Sequence, residues 1–277
     1  MVHGKAFECP LRKFPDMDAA SLIIILALGL ASGLVMSFVG ASAVMVVVPG
    51  LSIILGYGMH LSIGVSLLVD VLASLAIGYE YWRHGNVDLR HGFWIALGSV
   101  VGAQLGAGYT VALPDWFLAL SYGVWMLGAG LMIWRNGMNR TAISDKFSKY
   151  LRFDSGSKQV FASILLGILI GINCGVFGAG GGVLILFVLL FVLDYPLHSA
   201  IGTSTVIMAI TAASASVGYL MRGNMDVYVG VVMAAATIVG GVAGVRVVNT
   251  MDERILAKVV GGTFMVLGVV MTLLRFI

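Results

Sequence analysis

Three sets of residues in this chain have types and spacings that suit the handling of a small anion. The first is the stretch GVFGAGGGVL at 175–184, five glycines in ten residues between the apolar runs VFASILLGILIGI and VLILFVLLFVL. Glycine weakens a helix, yet it permits a tight reversal, lets a ligand approach the backbone and leaves free N–H groups where a helix starts. Helix N-termini carry partial positive charge and favour anions. Gly178, Gly180, Gly181 and Gly182 are therefore candidate contacts, as are Gly40 and Ser42 in GASAV at 40–44, a similar stretch earlier in the chain. The second set is hydroxyls: Ser66, Thr203 and Ser204, with Thr205 beside them. Such a group can donate to an oxyanion or bond back to its own helix, and both readings stay open.

Asp70 is the third element, near the middle of LSIGVSLLVDVLASLAIGYEYW. A charged carboxylate at the centre of a bilayer costs on the order of 3 kcal/mol on insertion scales, and such residues are functional by default. At about 8 Å from a bound anion, with an effective dielectric near 20, repulsion would be roughly 2 kcal/mol. Protonation would thus favour anion binding, and proton coupling through Asp70 is expected. The competing reading is a protonated Asp bonded to a neighbouring helix.

The elements that must position these groups are membrane helices. Of 277 residues 60% are hydrophobic and 10% charged, with a mean hydropathy of +1.03, against roughly 25% charged in a soluble domain. Runs at 19–39, 91–111, 116–134, 227–245 and 255–274 are long enough to cross about 30 Å of hydrocarbon. The first 18 residues are polar and carry no signal-peptide pattern, so they read as a short tail. Cys9 and Cys174 are the two cysteines; far apart in sequence, they offer neither a disulfide framework nor a CxxC motif.

A shift of 138 residues lays the chain on itself without a gap. HLSIGVS at 60–66 falls on HSAIGTS at 198–204, and YWRHGNVD at 81–88 on YLMRGNMD at 219–226. Gly29, Gly33, Gly40, Gly102 and Gly106 fall on Gly167, Gly171, Gly178, Gly240 and Gly244. The reading is a 1–18 tail, repeat 1 over 19–134, a basic cytoplasmic linker over 135–158 and repeat 2 over 159–277. A repeat this long is of the transporter kind rather than a solenoid period. Each half holds about five apolar segments: 19–39, 43–57, 62–81, 91–111 and 116–134, then 159–177, 183–193, 199–221, 227–248 and 255–274. The second of each half is short; at 1.5 Å per residue, 183–193 spans about 16 Å. The first two segments therefore read as a hairpin or broken pair with its tip inside the membrane. Such a pair contributes an even number of crossings, so each half has an odd number and the second half is inverted. A single crossing by the pair would make the halves parallel instead.

Loop charges agree with inversion. The linker, with Arg135, Arg140, Lys146, Lys149, Arg152 and Lys158, goes inside, together with Arg83, Arg90, Arg246, Arg254 and Lys258. Arg222 and Arg275 fall outside; the tail's Lys5, Arg12 and Lys13 do too, and are the one discord. The fold class expected is an all-α polytopic membrane protein of two inverted repeats, whose short broken helices meet near the midplane in the cell (inner) membrane.

The stretches GVFGAGGGVLILF, LDYPLHSAIGTSTV and YLMRGNMD, with their echoes SFVGASAVMVVVPG, MHLSIGVSLL and YWRHGNVD, resemble the sulfite exporter TauE/SafE family of membrane transporters. The resemblance covers both repeats. It implies an exporter of small sulfur-containing anions, such as sulfite, sulfonates or related organosulfur compounds, and no enzymatic step. Two departures stand out: the family's proline after the glycines is kept as Pro49 but replaced by Phe187, and the first tip reads Ser42-Ala43-Val44 in place of a glycine run.

Other classes fit less well. A thiol–disulfide relay needs paired cysteines, and Met36 stands opposite Cys174. A cation carrier wants several buried carboxylates or histidines, and Asp70 alone is deep. His60 and His198 sit at segment starts as interfacial caps, Gln104 and Asn173 suit interhelical hydrogen bonds, and Arg83, Arg90, Arg222 and Arg246 lie at helix ends. Recognition would rest on backbone N–H groups and hydroxyls. No cofactor, metal or nucleic-acid partner is expected. The partners expected are a small anion, membrane lipid and, in an assembly, a second copy of the chain. The alternative substrate is a small non-sulfur carboxylate or other small solute.

Overall fold

The computed structural model describes residues 18–39, 42–89, 92–110, 112–114, 156–177, 181–189, 193, 195–248 and 250–251, and single positions within 116–131 and 255–269. Its elements are α1 (Ala19–Val39), α2 (Val44–Pro49) running into a π-helical turn (Gly50–Ile54), α3 (Met59–Arg83), α4 (Gly92–Thr110), α5 (Gly156–Phe177), α6 (Gly181–Phe187), α7 (Leu197–Met221) and α8 (Val227–Val248). The described residues contain no strand. The tail before Asp18, Gly40, Gly178, Gly180 and most of the linker lie outside them. The described positions of 116–131 and 255–269 are helical.

Among the described residues, five stretches are long and apolar enough to cross a membrane: Ala19–Phe38, Met59–Arg83, Val160–Phe177, His198–Met221 and Val227–Val247. Between the first pair of spans lies the short α2; α6 runs on through a π-helical Val188 and Leu189, and residues 190–192 of the segment expected at 183–193 lie outside the described residues. Seven residues of helix rise about 10 Å, a third of the hydrocarbon thickness. Gly181 and Gly182, the last two residues of the glycine run, belong to its first turn. α3 and α7 are the central spans, while α1 turns Ile23, Leu26, Leu30 and Leu34 outward and α5 turns Phe161, Leu165 and Leu169 outward. Large apolar side chains on that surface suit a hydrocarbon solvent.

Packing crosses between the repeats. α1 lies on α8: a side chain at Gly29 would meet Met233 and Ala236, and one at Gly33 would meet Thr237 and Gly241. Both numbers rise together, so these helices run parallel. α4 lies on α5 in the same way, Gly98 against Ile164, Gly102 against Ile168 and Gly106 against Ile172. Absence of a side chain lets backbones touch, the usual basis of small-residue contacts in membranes. α3 and α7 behave differently. Gly78 faces Val206, Tyr81 faces Gly202 and Gly64 meets Asn224. One number rises as the other falls, so the two repeat-equivalent helices cross antiparallel.

The ends of α3 and α7 are built alike. Gly85 (φ 72) and Gly223 (φ 70) take the left-handed conformation. The N–H of Asn86 then returns to the Tyr81 carbonyl at 3.0 Å, and that of Asn224 to Tyr219 at 3.1 Å. This is a glycine-dependent helix stop, and its identical placement follows from the shared RGN/HGN sequence. The tyrosines themselves are buried. Tyr81 donates its hydroxyl to the Ser37 carbonyl at 2.8 Å and Tyr219 to the Gly175 carbonyl at 3.1 Å. Both acceptors lie in the last turn of the helix that precedes a tip, where carbonyls lack intrahelical partners.

Candidate substrate and coupling site

Each short helix begins beside the midpoint of a central span. In the first repeat, α2 is entered through Ser42 and Ala43, and Asp70 is the twelfth of the 25 residues of α3. The Ala43 N–H donates to Asp70 Oδ1 at 2.6 Å, and the Ser42 hydroxyl donates to Oδ2. Ser42 Oγ in turn accepts the N–H of Val44 at 3.1 Å. Serine and carboxylate together satisfy N–H groups that a helix start leaves open, and all three residues are fully buried. Both donors point at the carboxylate, which acts purely as acceptor. The neighbouring-helix partner weighed for Asp70 is thus α2's own entry.

The second repeat places different chemistry at the equivalent point. Met208 stands where Asp70 stands, midway along α7. A Cβ added to Gly181 would lie 2.9 Å from Cys174 Cβ, 3.1 Å from Cys174 Sγ and 3.3 Å from Met208 Sδ. Gly181 is therefore packed against two sulfur side chains. Cys174 is a fully buried thiol within electrostatic reach of Asp70. Sequence reading left Met208 and Cys174 outside the site; their repeat partners, Asp70 and Met36, were the available signal.

The hydroxyls divide. Ser66 bonds back to Ile63 at 2.7 Å, Ser204 to Ile201 at 2.9 Å and Thr205 to Ile201 at 2.8 Å. Thr203 accepts the Asp88 N–H at 2.9 Å, so it anchors the loop after α3. His60 pairs with the Thr110 carbonyl at 3.1 Å, and Gln104 donates to the Ser214 carbonyl between α4 and α7. Arg222 turns back to Gly218 at 2.6 Å. A cleft of about 280 Å³ between α3 and α7, lined by Ser74, Leu75, Tyr79, Trp82 and Val206, is mostly apolar.

Comparison with known proteins adds the family. The Sulfite exporter TauE/SafE family matches residues 25–271. The chain is 26% identical over 243 residues to "Probable membrane transporter protein YdhB" of Bacillus subtilis (strain 168), covering 86% of this chain and 95% of that one. It is 23% identical over 266 residues to "Probable membrane transporter protein YunE" of the same organism, covering 90% and 96%. "Probable membrane transporter protein MJ0441" of Methanocaldococcus jannaschii is 22% identical over 267 residues, covering 91% and 96%. No solved structure matches. With apolar helices of spanning length and a family match over nearly its whole length, this chain belongs to the TauE/SafE sulfite exporter family and is an integral membrane transporter, not an enzyme.

Proposed function

We propose that the chain is a secondary transporter in the cell (inner) membrane that exports a small sulfur-containing anion, such as sulfite or a sulfonate, by alternating access between two inverted repeats. The antiparallel crossing of α3 and α7 supports inversion. The arrival of α2 and α6 at the midpoints of those helices supports a substrate site near the midplane. The substrate contacts in this reading are Gly40, Ser42 and Ser66 from repeat 1 and Gly178, Gly180, Gly181, Gly182, Thr203 and Ser204 from repeat 2. Asp70 is the proton-coupling group.

The observation that carries the reading is the Asp70 carboxylate buried at the first tip, bonded to Ser42 and Ala43. An anion arriving beside an ionised Asp70 is repelled. A proton on Oδ2 removes the charge and requires the Ser42 hydroxyl to turn from donor to acceptor, while the Ala43 N–H keeps Oδ1. Binding of the anion and of the proton then favour one another, which is the coupling a symporting carrier uses. Anion binding strengthens as pH falls.

Thermal shift of the purified protein with sulfite, sulfate, thiosulfate, taurine and acetate tests the substrate class. Stabilisation by a sulfur oxyanion, lost in Gly181→Leu, is the expected result. Stabilisation by acetate alone would favour the carboxylate alternative, and no shift with any would remove the anion reading. Asp70→Asn is expected to keep binding and lose its pH dependence; an unchanged pH profile would remove the coupling role.

A further inference from the structure

Asp70 stands in a line of polar residues at four-residue spacing along α3: Ser62, Ser66, Asp70 and Ser74. Four residues rise about 6 Å and turn slightly more than once, so the line follows one slowly rotating face. All four are fully buried. Ser66 bonds to its own helix and Asp70 is held by α2, but the hydroxyls of Ser62 and Ser74 have no hydrogen-bond partner among the described residues. Burying an unpaired hydroxyl costs stability that alanine would not. Repeat 2 has that alanine at both places: the equivalents of Ser62, Ser66, Asp70 and Ser74 are Ala200, Ser204, Met208 and Ala212. The unpaired hydroxyls are present where the carboxylate is present and gone where it is gone. Packing of a central helix does not require them, since α7 does without.

We propose that the Ser62–Ser66–Asp70–Ser74 line of α3 is a hydrated proton path serving Asp70, a reading that rests on Asp70 being the coupling group. A hydroxyl both accepts and donates, so alternating hydroxyls and waters can hand a proton along while each keeps its bond count. The proton arrives on a water as hydronium, passes to a carboxylate oxygen of Asp70 and leaves neutral water behind; release returns it to water by the reverse step. The Ser62 end of the line lies under the 222–226 loop, where Gly64 touches the Asn224 carbonyl and Asp226 stands within electrostatic reach of Tyr57. That end carries one cation, Arg222, and one carboxylate, Asp226, whose Oδ1 accepts the Val229 N–H at 3.1 Å. Around Asp70 itself, α2 offers Ser42 and the Ala43 N–H, and α5 offers Cys174. On α7 the ionisable residues, His198 and Tyr219, stand near the ends, as do Tyr228 and Arg246 on α8; α1 has none. Asp70 is thus the one carboxylate along the line.

Water access can be read without a known substrate. Single cysteines are placed at Ser62 and Ser74 in full-length protein carrying Cys9→Ser and Cys174→Ala, reconstituted in liposomes, with a small cationic methanethiosulfonate as the probe. Ala73→Cys, buried in the core, and Leu75→Cys, 61% exposed on the outer surface, are the controls. A thiol reacts as its thiolate and needs water, so Ser62→Cys and Ser74→Cys are expected to react about ten-fold faster than either control. Rates no faster than the controls would overturn the path. A second measurement follows proton movement with a lumenal pH dye under a sulfite gradient in Ser62→Ala, Ser74→Ala, Ser62→Thr and Asp70→Asn. Slowed proton movement in both alanine variants, restored by threonine, supports the path. If Asp70→Asn abolishes proton movement while the alanine variants match wild type, the path fails and the coupling role stands. If Asp70→Asn changes nothing, the coupling role fails and the path loses its purpose, whatever the cysteines do.

Discussion

The backbone N–H of Ala43 donates to Asp70 Oδ1 at 2.6 Å, joining the start of the first half-helix to the midpoint of α3. An intramembrane carboxylate is thereby used as a helix cap, and the first tip has an anion of its own. The second tip has none: Met208 replaces the carboxylate and Gly181 packs on Cys174. Two repeats of one fold therefore present unequal chemistry at the same point, which gives the following expectations.

Asp70→Asn retains an acceptor for Ala43 and lets Ser42 turn, so the fold is kept. Asp70→Leu leaves the Ala43 N–H and the Ser42 hydroxyl proton buried without an acceptor, at a cost of about 2–4 kcal/mol. Thermal unfolding in detergent should separate the two variants by several degrees. Equal melting temperatures would mean that the cap contributes nothing.

Tyr81→Phe should destabilise more than Tyr219→Phe. The Gly175 carbonyl that Tyr219 serves also accepts Thr110 Oγ1 at 3.1 Å, whereas Tyr81 is the side chain seen to serve Ser37. Losing the one partner seen among the described residues costs about 1–3 kcal/mol and losing one of two costs less. The reverse order of melting temperatures would refute this assignment.

Gly85→Ala and Gly223→Ala are expected to cost the same, about 1–2 kcal/mol each. Neither position has an atom within 4 Å of an added Cβ, so the whole effect comes from the positive φ. Unequal losses, or no loss, would contradict the shared helix stop.

Gly181→Ala should cost about 1–3 kcal/mol, the range for overpacking, because its Cβ would stand 2.9 Å from that of Cys174. Cys174→Gly in the same chain removes the obstructing carbon and should restore part of the loss. A double variant no better than the single one would place the strain elsewhere.

Much of this was legible from spacing. The 138-residue repeat lays Gly85 on Gly223, and Gly102 and Gly106 on Gly240 and Gly244, the glycines that the structure uses for helix stops and close backbone packing. Short second segments were visible from their length. Thr203 was not legible as a loop anchor, because its partner Asp88 lies 115 residues away and nothing local marks the pair. The back-bonding of Ser66 and Ser204 was an open alternative that geometry decided, since rotamer choice depends on what packs alongside.

By itself, the sequence determined the solvent and the repeat, and it nominated the candidate site residues. Hydropathy fixes which segments enter hydrocarbon, and a duplicated pattern gives both halves the same local structure whatever their surroundings. Only the tertiary structure decided that α1 packs on α8 and α4 on α5, that α3 and α7 cross antiparallel, and that Asp70 meets Ser42 and Ala43. Such pairings join residues far apart in the chain, and their geometry is set by how backbones interlock at glycines, which no local pattern encodes.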